Sequence, residues 1–219
     1  MKQVLENPEK NQNNNHLFTL SCLLITFYLT ANVMAVKMLS IGDLVLFDAG
    51  TIVFPITYML GDALTELWGF RAARKVIFLS FLCNIVFMTG TALGLILPSP
   101  DYMAETTKAY AVIFGYVPRI VLASLVAFLV GELSNAWVLV KIKEKTGENH
   151  LWLRTIGSSV VGHLLDTVIF VLIAFAGTAT AYDCFTMIVI QYFAKLGIEA
   201  LAGTPLAYGL IAWIKRRAL

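Results

Sequence analysis

Val76-Ile-Phe-Leu-Ser-Phe-Leu-Cys-Asn-Ile-Val-Phe-Met-Thr-Gly-Thr-Ala-Leu-Gly-Leu-Ile-Leu97 runs for 22 residues without one Asp, Glu, Lys, Arg or His. As an α-helix it is about 33 Å long, which matches the roughly 30 Å hydrocarbon core of a bilayer. In lipid every backbone N–H and C=O must be satisfied internally, and one isolated segment manages that only as a helix. Five further stretches meet the same length and polarity requirement: Leu17–Val36, Leu44–Trp68, Tyr110–Val140, Trp152–Gly177 and Tyr182–Ile214. The fourth and sixth of the six exceed one crossing but are too short for two, so tilts or kinks are expected at Pro118 and Pro205.

Composition agrees. Of 219 residues 58% are hydrophobic and 14% charged, against roughly 25% charged in a soluble domain. Mean hydropathy is +0.77. Too few polar side chains exist to clothe a soluble surface, which excludes a soluble enzyme, a nucleic-acid binder and a disordered protein. The three cysteines, Cys22, Cys83 and Cys184, have no CxxC spacing and read as small apolar residues, with no disulfide or metal framework. The expected fold is all-α: a polytopic membrane bundle of six transmembrane helices forming one domain over 17–219. A polar, Asn-rich tail over 1–16 is expected to be disordered.

Twelve of the sixteen Lys and Arg fall in the tail, around Arg71–Lys75, around Lys141–Arg154 and at Lys215–Arg217. Six spans with both termini cytoplasmic place all twelve on one side, as the positive-inside rule requires. The opposite loops hold Asp43, Asp101, Glu105 and Asp183, with Lys108 as their one base. The expected location is the cell (inner) membrane.

Six acids fall within the spans: Asp48, Asp62, Glu66, Glu132, Asp166 and Glu199. An ionised acid near mid-helix costs about 2.5–3.5 kcal/mol on insertion scales, and such groups usually face a bundle interior or an aqueous path. Asp62 and Glu66 are i,i+4 on one helical face, and Glu132 and Asn135 are i,i+3. Ser159, His163 and Asp166 form a stripe, Lys195 and Glu199 are i,i+4, and Asn32 lies in the first helix. Five helices thus present polar groups at membrane depth. The third carries Asn84 alone and reads as a lipid-facing scaffold. Gly61–Asp62 and Gly131–Glu132 repeat a Gly–acid step, each followed by a Trp and a basic exit.

Structural readings stand beside the functional one. Asp62 and Glu66 could join Arg71 and Arg74 in an interfacial ion network, and Lys195–Glu199 could be a neutral pair within one helix. Ser158 and Ser159 could bond back to helical carbonyls, His163 could be a satisfied interior histidine, and Lys37 and Arg119 could snorkel to the interface. Acids on four helices nonetheless exceed what anchoring needs, and they predict a polar cavity. Carboxylates and carboxamides suit a solute with several N–H donors or a cation. Phe27, Tyr28, Phe54, Tyr58 and Tyr192 supply rings for a planar one. Gly50, Pro55 and Gly61, and Gly197, Gly203 and Pro205, interrupt two helices, as at transporter binding regions.

The block Phe54-Pro-Ile-Thr-Tyr-Met-Leu-Gly-Asp62-Ala-Leu-Thr-Glu66-Leu-Trp-Gly69, with Ala73-Arg74, resembles the signature of the queuosine precursor transporters of the vitamin-uptake-transporter group. The resemblance continues through Arg119–Ser124, Gly131-Glu-Leu-Ser-Asn135, Leu151–Ser159, Gly162-His-Leu-Leu-Asp166, and Lys195 with Glu199 and Pro205. It covers the chain from about Leu17 onward. His163 stands where many members carry Gln. The resemblance implies uptake of a 7-deazaguanine (the cyano form, the aminomethyl form or queuine) by alternating access, facilitative or proton-coupled, with no cofactor and no nucleic-acid partner. Asn32, Asp62, Glu66, Glu132, Asn135, Asp166, Lys195 and Glu199 are then the expected solute-binding residues. One of Asp62, Glu132, Asp166 and Glu199 would accept from the guanine-like edge. Arg74, Arg119, Arg154 and Pro205 take structural or gating roles.

Two other classes remain. Six spans and the small-xxx-small stripe Ala31-Asn-Val-Met-Ala35 permit docking to a separate energising module, making the chain a capture subunit; a homo-oligomer is a further possible partner. Ser159, His163 and Asp166 could form an intramembrane hydrolase site, but three groups on one helix face converge poorly.

Overall fold

The computed structural model describes residues 8–41, 44–115, 118–147, 150–177 and 180–217. The elements in order are α1 (Pro8–Met34), β1 (Met38–Ile41), β2 (Leu44–Asp48), α2 (Gly50–Ile96), α3 (Ala104–Phe114), α4 (Pro118–Thr146), α5 (Leu151–Phe175), α6 (Ala181–Ile198) and α7 (Thr204–Arg217). A short 3-10 turn (Asp101–Met103) precedes α3, and a π-helical turn (Glu199–Gly203) joins α6 to α7. Five helical segments among the described residues are long and apolar enough to cross a membrane. The chain is a helical, multi-pass membrane protein.

Three boundaries differ from expectation, each for a local reason. Leu44–Asp48 is a strand and not the start of the second helix: it pairs antiparallel with β1, Met38 facing Asp48. Leu44, Val45, Leu46 and Phe47 are apolar enough to span, but β-branched and aromatic residues also suit a strand. Asp48 then sets the helix start, its carboxylate accepting from the Thr51 N–H at 3.1 Å and the Thr51 hydroxyl at 3.2 Å. The expected Tyr110–Val140 span is two helices, because α3 ends at Gly115 and α4 begins at Pro118, a favoured first position. At the other terminus of the chain α1 begins at Pro8, ahead of the expected Leu17, so the tail's described part continues the helix; residues 1–7 lie outside the described residues.

α2 is 47 residues long but leaves helical geometry at Gly69, with φ 78° and ψ 169°. That left-handed φ is open to glycine at little cost. The corner replaces the expected loop and divides α2 into arms over 50–68 and 70–96. On the second arm Ala73, Val76, Ile77, Ser80 and Asn84 are buried, one stripe at helical spacing. Phe78, Leu79, Leu82, Val86, Leu93 and Ile96 are exposed on the remaining faces. This arm is the expected scaffold helix, with Asn84 turned inward.

The core combines Leu20, Leu24 and Tyr28 of α1 with Leu60, Ala63 and Leu64 of α2, Phe128 and Ala136 of α4, and Ala207 and Ile211 of α7. Tyr28 and Phe128 stack with ring centroids 3.6 Å apart. Ala31 is buried against α2, where a side chain at Gly50 would strike its carbonyl. That half of the small-residue stripe therefore packs within the chain instead of presenting itself to a partner.

Candidate functional site

The intramembrane acids occupy three levels along the bundle. At the basic end, Glu66 Oε1 accepts from Arg154 Nη2 and from Lys143 Nζ, both at 2.9 Å. Lys143 also donates to the Glu66 carbonyl at 3.1 Å, and Lys215 lies 4.0 Å away. Glu66 and Arg154 are both 1% exposed at the side chain. A network at Glu66 was expected, but its partners are Arg154 and Lys143, not Arg71 and Arg74. Arg74 is exposed and lies over the Phe70 ring at 5.9 Å. The node ties α2, α4 and α5 together at one end.

One turn along α2, Asp62 faces the interior. Its Oδ1 accepts from Asn135 Nδ2 at 2.7 Å, and its Oδ2 has no hydrogen-bond partner. Glu132 is 0% exposed and neither carboxylate oxygen has a partner. The two Gly–acid steps of the sequence meet here. A Cβ on Gly61 would lie 2.6 Å from Glu132 Oε2, and one on Gly131 would strike the Tyr58 hydroxyl. Gly162 of α5 completes the seam, since a Cβ there would sit 2.8 Å from both Asn135 Cβ and Tyr58 Cε1. Glycine at these positions lets α2, α4 and α5 approach closely around the acids.

The third level pairs α5 with α6 and the π turn. Lys195 Nζ donates to Asp166 Oδ2 at 2.6 Å and approaches Thr167 Oγ1 at 3.4 Å, with the ammonium 5.0 Å over the Phe54 ring. Glu199 accepts from Ser159 Oγ and pairs with His163 Nε2. The expected Lys195–Glu199 pair within one helix is therefore corrected: each residue reaches across to α5 instead. The π turn that begins at Glu199 has a chemical origin. Pro205 has no N–H, so the ladder cannot run on as a regular α-helix. Thr204 N–H instead donates to Glu199 C=O, five residues back.

A small cavity lies toward the end away from the Glu66 node. Asn32, Asp48, Phe54, Asp166, Gln191 and Lys195 line it, with Ser124 and Phe170. Asn32 Oδ1 accepts from Ser124 Oγ at 2.6 Å, and Asn32 Nδ2 donates to the Tyr28 carbonyl at 3.0 Å. Of the eight expected solute residues, Asn32, Asp166 and Lys195 line the cavity. Asp62, Glu132, Asn135 and Glu199 lie beyond it in the packed interior, and Glu66 belongs to the node. Pro205 stands beside the π turn; the side chain of Arg119 lies outside the described residues. Sequence reasoning missed Gln191 and the cavity position of Asp48. Asp48 carried a signal in its Asp-x-x-Thr51 capping pattern, whereas Gln191 carried none beyond a polar residue in an apolar run.

A family profile described as "Putative vitamin uptake transporter" matches residues 48–210. A Bacillus subtilis (strain 168) protein named "Probable queuosine precursor transporter" is 30% identical over 179 residues, covering 81% of this chain and 77% of that one. A Haemophilus influenzae protein of the same name is 25% identical, covering 78% and 70%. The Escherichia coli (strain K12) "Queuosine precursor transporter" is 25% identical, covering 61% and 57%. No solved structure matches the chain. These relatives are transporters, and Ser159 and His163 both engage Glu199 rather than forming a triad with Asp166. The chain is accordingly no hydrolase; it belongs to the vitamin uptake transporter family.

Proposed function

We propose that this chain imports queuosine precursors, the 7-deazaguanine bases, across the cell (inner) membrane by alternating access. In this reading it makes six crossings, two of them the arms of α2, with both termini cytoplasmic. The observation that carries the reading is the cavity built on Asp166 and Lys195. It is open at one end of the bundle and separated from the other by the Glu66–Arg154–Lys143 node. A guanine-like edge offers N1–H and an exocyclic amine, which a carboxylate accepts as a pair, while an ammonium donates to the carbonyl. Asp166 and Lys195 present those two groups together, and Phe54 and Phe170 supply apolar faces for a planar ring.

Entry of the solute exchanges the Asp166–Lys195 contact for contacts to the base. Closure of the open end and parting of the node would then release the solute to the basic, cytoplasmic side. Cells unable to make 7-deazaguanine should regain queuosine in their tRNA when given precursor and this gene. Supplying the cyano form, the aminomethyl form and queuine separately ranks the three. Purified protein in proteoliposomes should take up the rescuing base unaided. Binding without uptake would instead mark the chain as the capture subunit of an energised system. If no precursor restores queuosine, the substrate reading fails.

A further inference from the structure

Among the described residues, Glu132 is a buried carboxyl group outside the cavity with no hydrogen-bond partner on either oxygen. Its side chain is 0% exposed, and neither oxygen receives a hydrogen bond. The neighbouring Thr57 hydroxyl donates to the Phe54 carbonyl at 2.6 Å. The groups facing it are Tyr28 from α1, Tyr58 and Asp62 from α2, Asp166 from α5 and Glu199 from the π turn. Three of these are acids. Lys195 of α6 is engaged by Asp166, and His163 by Glu199. An ionised carboxylate here would be buried and faced by carboxyl groups of like charge, which is unfavourable; a carboxylic acid escapes that cost. Asp62 is the nearest rival, yet it accepts from Asn135.

Asp166 lines the cavity, and its Cβ lies 2.8 Å from where a side chain on Gly131, the residue before Glu132, would begin. On its other side Glu132 is pressed on α2 at Gly61. Any movement of α2 against α4, as alternating access requires, changes the seal over this carboxyl.

We infer that Glu132 is a proton-binding site and that the carrier is a proton symporter. This rests on the transport reading above. Water at the cavity gives up one proton, an O–H bond forms on Glu132, and after the seam opens at the basic end that bond breaks and the proton passes to water. With one proton per solute, an inward gradient of one pH unit supports up to about tenfold accumulation of a neutral base.

The test uses the purified full chain. Infrared difference spectra should contain a protonated-carboxyl band that is lost in Glu132→Gln and kept in Asp62→Asn. In proteoliposomes, a proton ionophore should abolish accumulation of the rescuing base by the wild type. A band untouched by Glu132→Gln, or accumulation indifferent to the gradient, overturns the inference while leaving the transport reading intact. If no 7-deazaguanine is taken up at any pH, the transport reading fails, and the infrared band still decides the proton site. Should Glu132→Gln not fold, a downshift of the band with carbon-13-labelled glutamate, absent with labelled aspartate and kept in Glu199→Gln, serves in its place.

Discussion

Glu66 and Asp62 lie one helical turn apart on the same face of α2, yet their surroundings are opposite. Glu66 collects Arg154 and Lys143 within 2.9 Å and has Lys215 at 4.0 Å. Asp62 has one amide donor, with the carboxyl groups of Glu132 and Glu199 as its neighbours. The first arrangement is an ion-pair clasp, in which attraction offsets desolvation and ties three helices. The second has no such compensation, and stability alone gives no reason to keep it. One turn of helix therefore separates an acid held by cations from an acid that has none, and cation supply at the basic end makes the difference.

Removing a cation where it is scarce should cost most. Lys195→Met leaves Asp166 buried without its partner, and about 3–5 kcal/mol should be lost in thermal unfolding, together with uptake. Adding Asp166→Asn should recover stability and not uptake. If the single variant transports normally, the cavity has been assigned to the wrong residues.

At the clasp the effect should be smaller, because Glu66 keeps Lys143. Arg154→Met is expected to cost about 1.5–3 kcal/mol, the worth of hydrogen bonds to a charged group. A loss as large as that of Lys195→Met would show that the two regions are not different in kind. Gly131→Ala probes the seam instead of the charges. Its methyl group would meet Tyr58 and Asp166 Cβ, and overpacking of about 1–3 kcal/mol should appear with reduced uptake. Unchanged stability there would mean that the helices are not held as closely as described.

The smallest effect belongs to Lys141 and Glu144, a 2.8 Å pair with half-exposed side chains. Lys141→Ala should change stability by under about 1 kcal/mol and leave rescue of queuosine unaffected. A measurable loss of rescue would give the basic end a role beyond clasp and orientation.

The crossings and the acids were legible because lipid imposes simple rules: long apolar runs, and few charges except for a reason. Partner choice was not legible. Spacing put Lys195 beside Glu199, but i,i+4 spacing states only that two side chains share a face. In the fold Lys195 pairs with Asp166, and Glu199 with Ser159 and His163, all on α5. Likewise Leu44–Phe47 satisfied hydropathy, which does not distinguish strand from helix over so short a run. Gln191 became visible only when its neighbours were in place. The Gly–acid repeat had no evident meaning along the chain; in three dimensions one member's glycine receives the other's carboxylate.

The Gly69 corner makes the two arms of α2 a matter of rotational phase. A conventional loop absorbs an inserted residue as slack, but here a single non-helical residue joins the arms. An extra residue just beyond Gly69 turns the second arm by about 100°. The stripe from Ala73 to Asn84 would swing toward lipid and Phe78 or Leu82 toward the bundle. The corner thus works as an index mark, fixing which side of a nearly uniform apolar helix is inside.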